Sequence, residues 1–285
     1  METTQGEQFD AFFVPTSGFA ERRIRDPQTG TQRRVWTPPA YRDEPVDQDQ
    51  CTAAYQMARN ARGELMLGAC GGKARALAAL HLAKEFRNAA LVTMSRFDPP
   101  VDQRVIQELQ LPTEQYRLMS DYLRRRLQAG GVSKRHVCEE SNSTTIFEAL
   151  IQMVRITAEQ NELDKNDERD ELAWYRVGFV TNNYNLPRAQ AMLDAICDPA
   201  GAAKKLPHLV PKLGRGYQQV LNIGPPQGTS FELISAEEVL ARRSARYARI
   251  IEAAEECAPY RRRSALEQAG ATQIAEGTYG APSSL

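Results

Sequence analysis

Arg75, Arg96 and Arg188 each stand a few residues beyond a short apolar run, and the adjacent carboxylates Glu139 and Glu140 close another. A guanidinium grips a carboxylate or phosphate through a planar fork, and a carboxylate can hold a ribose diol or carry a proton. Residues of these types at such junctions point to recognition of a small anionic molecule. The first junction reads GACGGKAR, where Gly71 and Gly72 let the backbone approach a ligand and Arg75 sits in the first turn of the helix that follows. A cation there opposes the helix dipole, so an anionic neighbour is expected, either a ligand or a carboxylate. The second reads TMSRFDPP, with Ser95, Arg96 and Asp98 at the place where dinucleotide folds keep a ribose-reading acid. A salt bridge within the loop is the plain alternative.

The third junction reads CEESNSTTIFEA. Thr145 and Glu148 have the spacing of a capping box, which needs one hydroxyl, yet Ser141, Asn142, Ser143 and Thr144 are polar as well. That surplus predicts a pocket wall containing Asn142, Ser143 and Thr145. The fourth reads VTNNYNLPRAQA, with Thr181, Asn182, Tyr184 and Asn185 ahead of Pro187 and Arg188. Asn185 as N-cap and Pro187 in the first turn would serve the helix alone. Arg188 has no such role and joins Arg75 and Arg96 as a candidate anion clamp.

Elements that position these residues follow from the apolar spacing. KARALAALHLAKEF, TEQYRLMSDYLRRRLQAGG, TTIFEALIQMVRITAEQ and Pro187 to Cys197 have helical period, as does a long stretch from Ala236 to Glu256. ELMLGA, NAALVTM, HVCEE, WYRVGFVT and YQQVLNI (Tyr217 to Ile223) read as strands, the last of them closing the sheet. The alternation predicts a three-layer α/β/α fold with a mostly parallel sheet, whose ligands sit beyond the carboxyl ends of the strands. Residues 1–50 are rich in Pro, Arg, Asp and Gln and are expected to be an extended or loop-rich arm. The α/β domain is expected over 51–257, NELDKNDERDE (161–171) as a solvated connector, and 258–285 as a polar tail.

The chain has 285 residues, with Lys plus Arg equal to Asp plus Glu at 36 each, so no global basic field recommends nucleic acid. Its five cysteines lack CxxC spacing and only three histidines are present, which argues against a structural metal site. Scattered thiols, no basic-apolar leader and no apolar stretch of about 20 residues are read as a cytoplasmic protein that does not enter a membrane.

Taken in order, LGACGGKARALAA, LVTMS, YLRRRLQAGGVSKRHVCEESNSTTIFEA and FVTNNYNLPRAQAML resemble the SanA/YdcF-like family of bacterial α/β proteins, over roughly Glu64 to Leu193. The resemblance implies a Rossmann-like fold. It assigns family positions to Glu139, Thr145, Thr181, Tyr184 and Arg188. The family serine falls on Asn142, or on Ser141 or Ser143 if the register slips by one, and the family asparagine on Glu148. Asn185 replaces a family histidine, and an amide cannot titrate near neutral pH, so any proton transfer given to that histidine is lost or moved. Many relatives look membrane-anchored, whereas this chain shows no anchor. S-adenosylmethionine or a nucleotide is the ligand type that the resemblance implies.

The leading expectation is an enzyme acting on S-adenosylmethionine or a nucleotide-like ligand, as a transferase or lyase. Arg75 or Arg188 would hold the anionic group and Glu140 or Glu139 the ribose or cation. Thr181 and Tyr184 would orient the reacting end, and Glu139 or Tyr184 would be the proton carrier. A hydrolase or transferase for a phosphorylated or envelope-derived substrate is the second expectation. The third is a ligand sensor or partner-binding module without catalysis. The helix from Ala236 leaves a homo-oligomer open.

Overall fold

A computed structural model describes residues 8–15, 20–25, 30, 32–37, 72–94, 124, 127–133, 137–140, 142–143, 145–167, 173–256 and 258–281. The strands are β1 (Ala11–Pro15), β2 (Ala20–Arg25), β3 (Gln32–Thr37), β4 (Ala90–Met94), β5 (Val137–Glu140), β6 (Arg176–Thr181) and β7 (Ser230–Ser235). The helices are α1 (Gly72–Glu85), α2 (Ile146–Asp167), α3 (Leu186–Cys197), α4 (Pro199–Lys205), α5 (Arg215–Ile223), α6 (Ala236–Arg243), α7 (Ala245–Glu255) and α8 (Ala258–Glu276).

Five strands form an all-parallel sheet in the order β5-β4-β1-β6-β7, and β2 pairs with β3 in a separate antiparallel hairpin. Side chains alternate across the sheet. Phe12 and Val14 of β1 and Val180 of β6 join Ala74, Ala78 and Leu82 of α1, Leu240 of α6 and Ile250 of α7 in one apolar layer. Ala11 and Phe13, with Val177 and Phe179, face the other layer, built from Leu150 and Ile151 of α2, Leu193 and Ile196 of α3 and Ile274 of α8. Helices therefore cover both faces, the arrangement that parallel sheets require.

β1 lies at the centre, and the chain moves outward to one side through β4 and β5, then to the other through β6 and β7. The order reverses between β1 and β6, and in open sheets of this kind that is where a crevice opens at the carboxyl edge. Gly178 sits in the register of Phe12, and a Cβ there would lie 2.9 Å from the Phe12 ring while also meeting Ile234. Gly178→Ala is expected to destabilise the fold by about 1–3 kcal/mol through overpacking, read as a lower urea midpoint with an unchanged slope.

Several sequence expectations are corrected. The α/β body begins well before residue 51, because β1 at Ala11–Pro15 is the central strand and is wholly buried. A central parallel strand reads as a continuous apolar run without alternation, so AFFVP resembled a fragment of the arm. Tyr217–Ile223 is not the last strand; it lies in helix α5, with Val220 and Leu221 buried and Gly224 at φ 75° ending it. Its apolar residues recur at i, i+3 and i+4, the helical spacing. The last strand is Ser230–Ser235.

The helix from Ala236 is two helices, broken at Ser244, whose extended backbone and hydroxyl cap α7 by accepting from Arg246 N–H at 3.2 Å. The expected solvated connector is helical as far as Asp167, and Asn161 is buried and bonded to the Trp174 backbone. The polar tail is largely helix α8, which buries Tyr260, Glu267 and Ile274. Its polar letters misled because Glu267 is paired inside the protein rather than hydrated. ELMLGA, most of the helix expected after Pro112, and Gly71, Ser95, Arg96 and Asp98 lie outside the described residues.

Candidate functional site

The carboxyl ends of β1 and β6 are joined by Arg75. It stands in the first turn of α1 and is 5% exposed. Its Nε donates to the carbonyl of Pro15, the last residue of β1, at 2.7 Å, and its Nη1 donates to Asn182 Oδ1 just past β6. The anionic neighbour expected from the helix dipole is one amide away. Asn182 Nδ2 donates to Glu237 Oε1 at 2.7 Å, and the Asn183 backbone N–H donates to Glu237 Oε2 at 2.9 Å. Asn182, wholly buried, thus relays between a buried cation and a buried carboxylate across the switch point.

Glu237 is 1% exposed in the first turn of α6. Burial pushes its carboxyl up from 4.5 to about 7, although its bonds to Asn182 and Asn183 and the Arg75 charge pull the other way. Its proton affinity therefore falls in the neutral range. The network continues through Asn183, whose Oδ1 accepts from the Ser235 hydroxyl and whose Nδ2 donates to Glu255 of α7 at 2.9 Å. Tyr260 of α8 donates to the same Glu255 oxygen at 3.2 Å.

Beside this network stand two unsatisfied atoms. Thr181 Oγ1 and Asn185 Oδ1 are buried and have no hydrogen-bond partner among the described residues. Asn185 was expected to cap α3, but its backbone is already helical, at φ −82° and ψ −20°, and its side chain makes no cap bond. The short 3-10 turn Asn183–Asn185 winds directly into α3, which leaves no extended residue to do the capping. Leaving a buried polar atom unpaired costs about 1–3 kcal/mol, so two at one strand-to-helix junction call for an explanation.

Ser95 and Arg96 of the second loop lie outside the described residues, and of the other three loops Arg188 and Glu140 are engaged away from Arg75. Arg188 Nε lies 2.6 Å from Glu267 Oε2 of α8 in an ion pair, and its Nη1 donates to Tyr279 Oη at 3.0 Å. Glu140, 3% exposed, is consumed by its own loop. Its Oε1 accepts from the N–H groups of Asn142 and Ser143 at 2.6 and 3.0 Å, and its Oε2 from the Ser143 hydroxyl at 2.6 Å. β5 lies three strand spacings from β6, about 14 Å, so Glu140 and Thr181 can only touch opposite ends of an extended ligand. Glu139 pairs by its backbone with Thr93, and its side chain lies outside the described residues. The capping box forms as expected, with Glu148 N–H on Thr145 Oγ1 at 3.1 Å and Thr145 N–H on Glu148 Oε2 at 3.2 Å.

Tyr184 is buried, its ring edge-on to Tyr260 at 5.9 Å and beneath the Arg263 guanidinium. The junction therefore brings together Arg75, Thr181, Asn182 and Asn185, with Tyr184 and Arg188 engaged by α8. Sequence reasoning missed Glu237, Glu255 and Glu267. SAEE (Ser235–Glu238) carried a signal, because Ser235 accepts from Glu238 N–H at 2.9 Å as an N-cap. Recognising FELIS as a strand would have put those acids at the carboxyl edge. Among the described residues no cluster of three His, Cys, Asp or Glu side chains is placed to hold a metal, and no helix is long and apolar enough to cross a membrane.

Comparison with family models, curated proteins and solved structures finds no match.

Proposed function

We propose that this protein binds a small anionic or adenosyl-containing molecule at the carboxyl edge of the sheet, between the ends of β1 and β6, and acts on it as an enzyme. S-adenosylmethionine or a nucleotide-like compound is the ligand type, a choice that rests on the resemblance to SanA/YdcF-like proteins. The observation that carries the reading is the pair of unsatisfied buried atoms, Thr181 Oγ1 and Asn185 Oδ1, beside the strand-order reversal. A hydroxyl and an amide oxygen together supply a donor and an acceptor, which suits a ribose diol or an amino group.

Arg75 and Glu237 hold Asn182 in one orientation from opposite sides, so its amide is fixed before a ligand arrives. Such preorganisation is what electrostatic catalysis requires. Glu237 acts through Asn182 as a positioning residue, and its near-neutral proton affinity sets the charge of the relay. A transfer driven by positioning needs no histidine at 185. A second reading, binding without turnover, is favoured by the same Asn185, whose amide can accept a hydrogen bond but cannot move a proton. Arg188, which is paired with Glu267, is not part of the observation that carries the first reading.

Calorimetric titration of S-adenosylmethionine, its demethylated product and simple nucleotides tests the proposal. At least one of them is expected to bind, and heat-silent titrations with all of them would defeat the reading.

A further inference from the structure

Glu267 is a buried carboxylate that the proposed crevice does not use. It is 4% exposed on α8 and is faced by two guanidiniums, Arg188 of α3 at 2.6 Å and Arg263 of its own helix at 3.5 Å. Arg188 is further held by the Tyr279 hydroxyl, and its aliphatic stem runs across Gly270, where a Cβ would lie 2.9 Å from its Cδ. The cluster carries two positive charges against one negative.

Glu267 Oε2, Arg188 Nε and Arg263 Nε are all buried, and although Arg188 Nε lies 2.6 Å from Oε2, no linear hydrogen bond is formed at these three atoms among the described residues. Burial lifts the Glu267 carboxyl above its ordinary range despite both arginines, as expected when the pairing compensates desolvation only in part. An excess of cation and partly exposed arginine side chains are what a rounder or doubly charged oxyanion would satisfy better. Arg188 is 25% exposed and Arg263 43%, so solvent reaches the pair although it does not reach the glutamate.

The same helix covers the junction. Tyr260 of α8 packs on Tyr184 and bonds Glu255, which in turn holds Asn183. Movement of α8 would therefore uncover the residues flanking Thr181 and Asn185.

We propose that Arg188 and Arg263 are the seat for the carboxylate or phosphate of the ligand, and that Glu267 is an internal occupant which this group displaces, making α8 a lid. The inference rests on the ligand site proposed above and adds where the ligand's charge goes and what must move to admit it.

The test uses the full chain, with inorganic phosphate and acetate as probes at millimolar concentration and chloride at matched ionic strength as control. Glu267→Gln keeps the shape and removes the competing charge, so its affinity for the favoured probe is expected to rise at least about tenfold over wild type. Glu267→Gln combined with Arg188→Met should lose that gain. Preference for phosphate or acetate tells which oxyanion the seat takes. In the wild-type chain the same probe should speed amide hydrogen exchange across 258–276, a readout that holds even if the variants fold poorly. An anion response equal in wild type and Glu267→Gln, with exchange in α8 unchanged, overturns the inference. If S-adenosylmethionine or a nucleotide binds while Glu267→Gln changes nothing, the crevice stands and the lid falls. If the variant gains phosphate while none of those compounds binds, the lid stands and the crevice falls.

Discussion

Arg75→Met is expected to lower the stability of the fold by about 3–5 kcal/mol, the range for stripping one member from a buried charged network. Methionine fills much of the same space but donates nothing. The Pro15 carbonyl and Asn182 Oδ1 would lose their donors at the join between β1 and β6. Glu237 would also lose the arginine charge that opposes its burial. That second loss depends on pH, and its sign follows from the direction of the shift. A carboxyl raised from 4.5 to about 7 in the folded chain holds its proton there when the unfolded chain has released it. Its contribution is fully present below about pH 4.5 and is lost as pH rises through about 7, a difference of about 3 kcal/mol. Arg75→Met raises Glu237 further, so the variant should suffer more near pH 8 than near pH 5. Urea midpoints at the two pH values measure this directly, and an equal loss at both would remove Glu237 from the relay.

Ending the chain after Glu256 is expected to have an effect of similar size, although the removed letters are mostly polar. Helix α8 contributes Tyr260 and Ile274 to the buried set, and each fully buried side chain of this size is worth roughly 1.5–3 kcal/mol. Their loss alone amounts to about 3–6 kcal/mol. The Arg188 stem, which now crosses Gly270, would lose its cover, and Tyr184 its ring partner. The truncated chain should unfold at a markedly lower urea midpoint or fail to accumulate. A midpoint within the error of the full chain would mean that α8 adds little to the stability of the fold.

That dependence on a polar segment illustrates what the letters conceal. β4, β5 and β6 and helices α1, α2 and α3 were legible because each short apolar run is followed by a helical period long enough to identify. β1 was not. AFFVP is five residues long and apolar on both faces, so it lacks the alternation that marks a half-buried strand. YQQVLNI and SFELIS exchange roles for a related reason. Both are short and partly apolar, and only the spacing of Tyr217, Val220 and Leu221 separates helix from strand.

The candidate site was legible in location more than in wiring. VTNNYNLPRAQA does lie at the switch point, and Arg75 does need a carboxylate, but that carboxylate is Glu237, distant in sequence and on a strand-helix unit that was misread. Arg188 looked free because its partner, Glu267, sits in what looked like a tail. Long-range pairings of this kind have no local period, so a single sequence does not display them.

Thr181→Val tests the central claim most directly, because a ligand site and a structural hydroxyl predict opposite signs. Valine keeps the shape of threonine and removes Oγ1, which is buried without a partner among the described residues. If that hydroxyl exists for a ligand, the variant should be more stable than wild type by about 1 kcal/mol. In calorimetry it should bind the compound recognised by wild type about tenfold or more weakly. A stability loss with unchanged affinity would mean that the hydroxyl serves the fold, and would contradict a binding site at the end of β6.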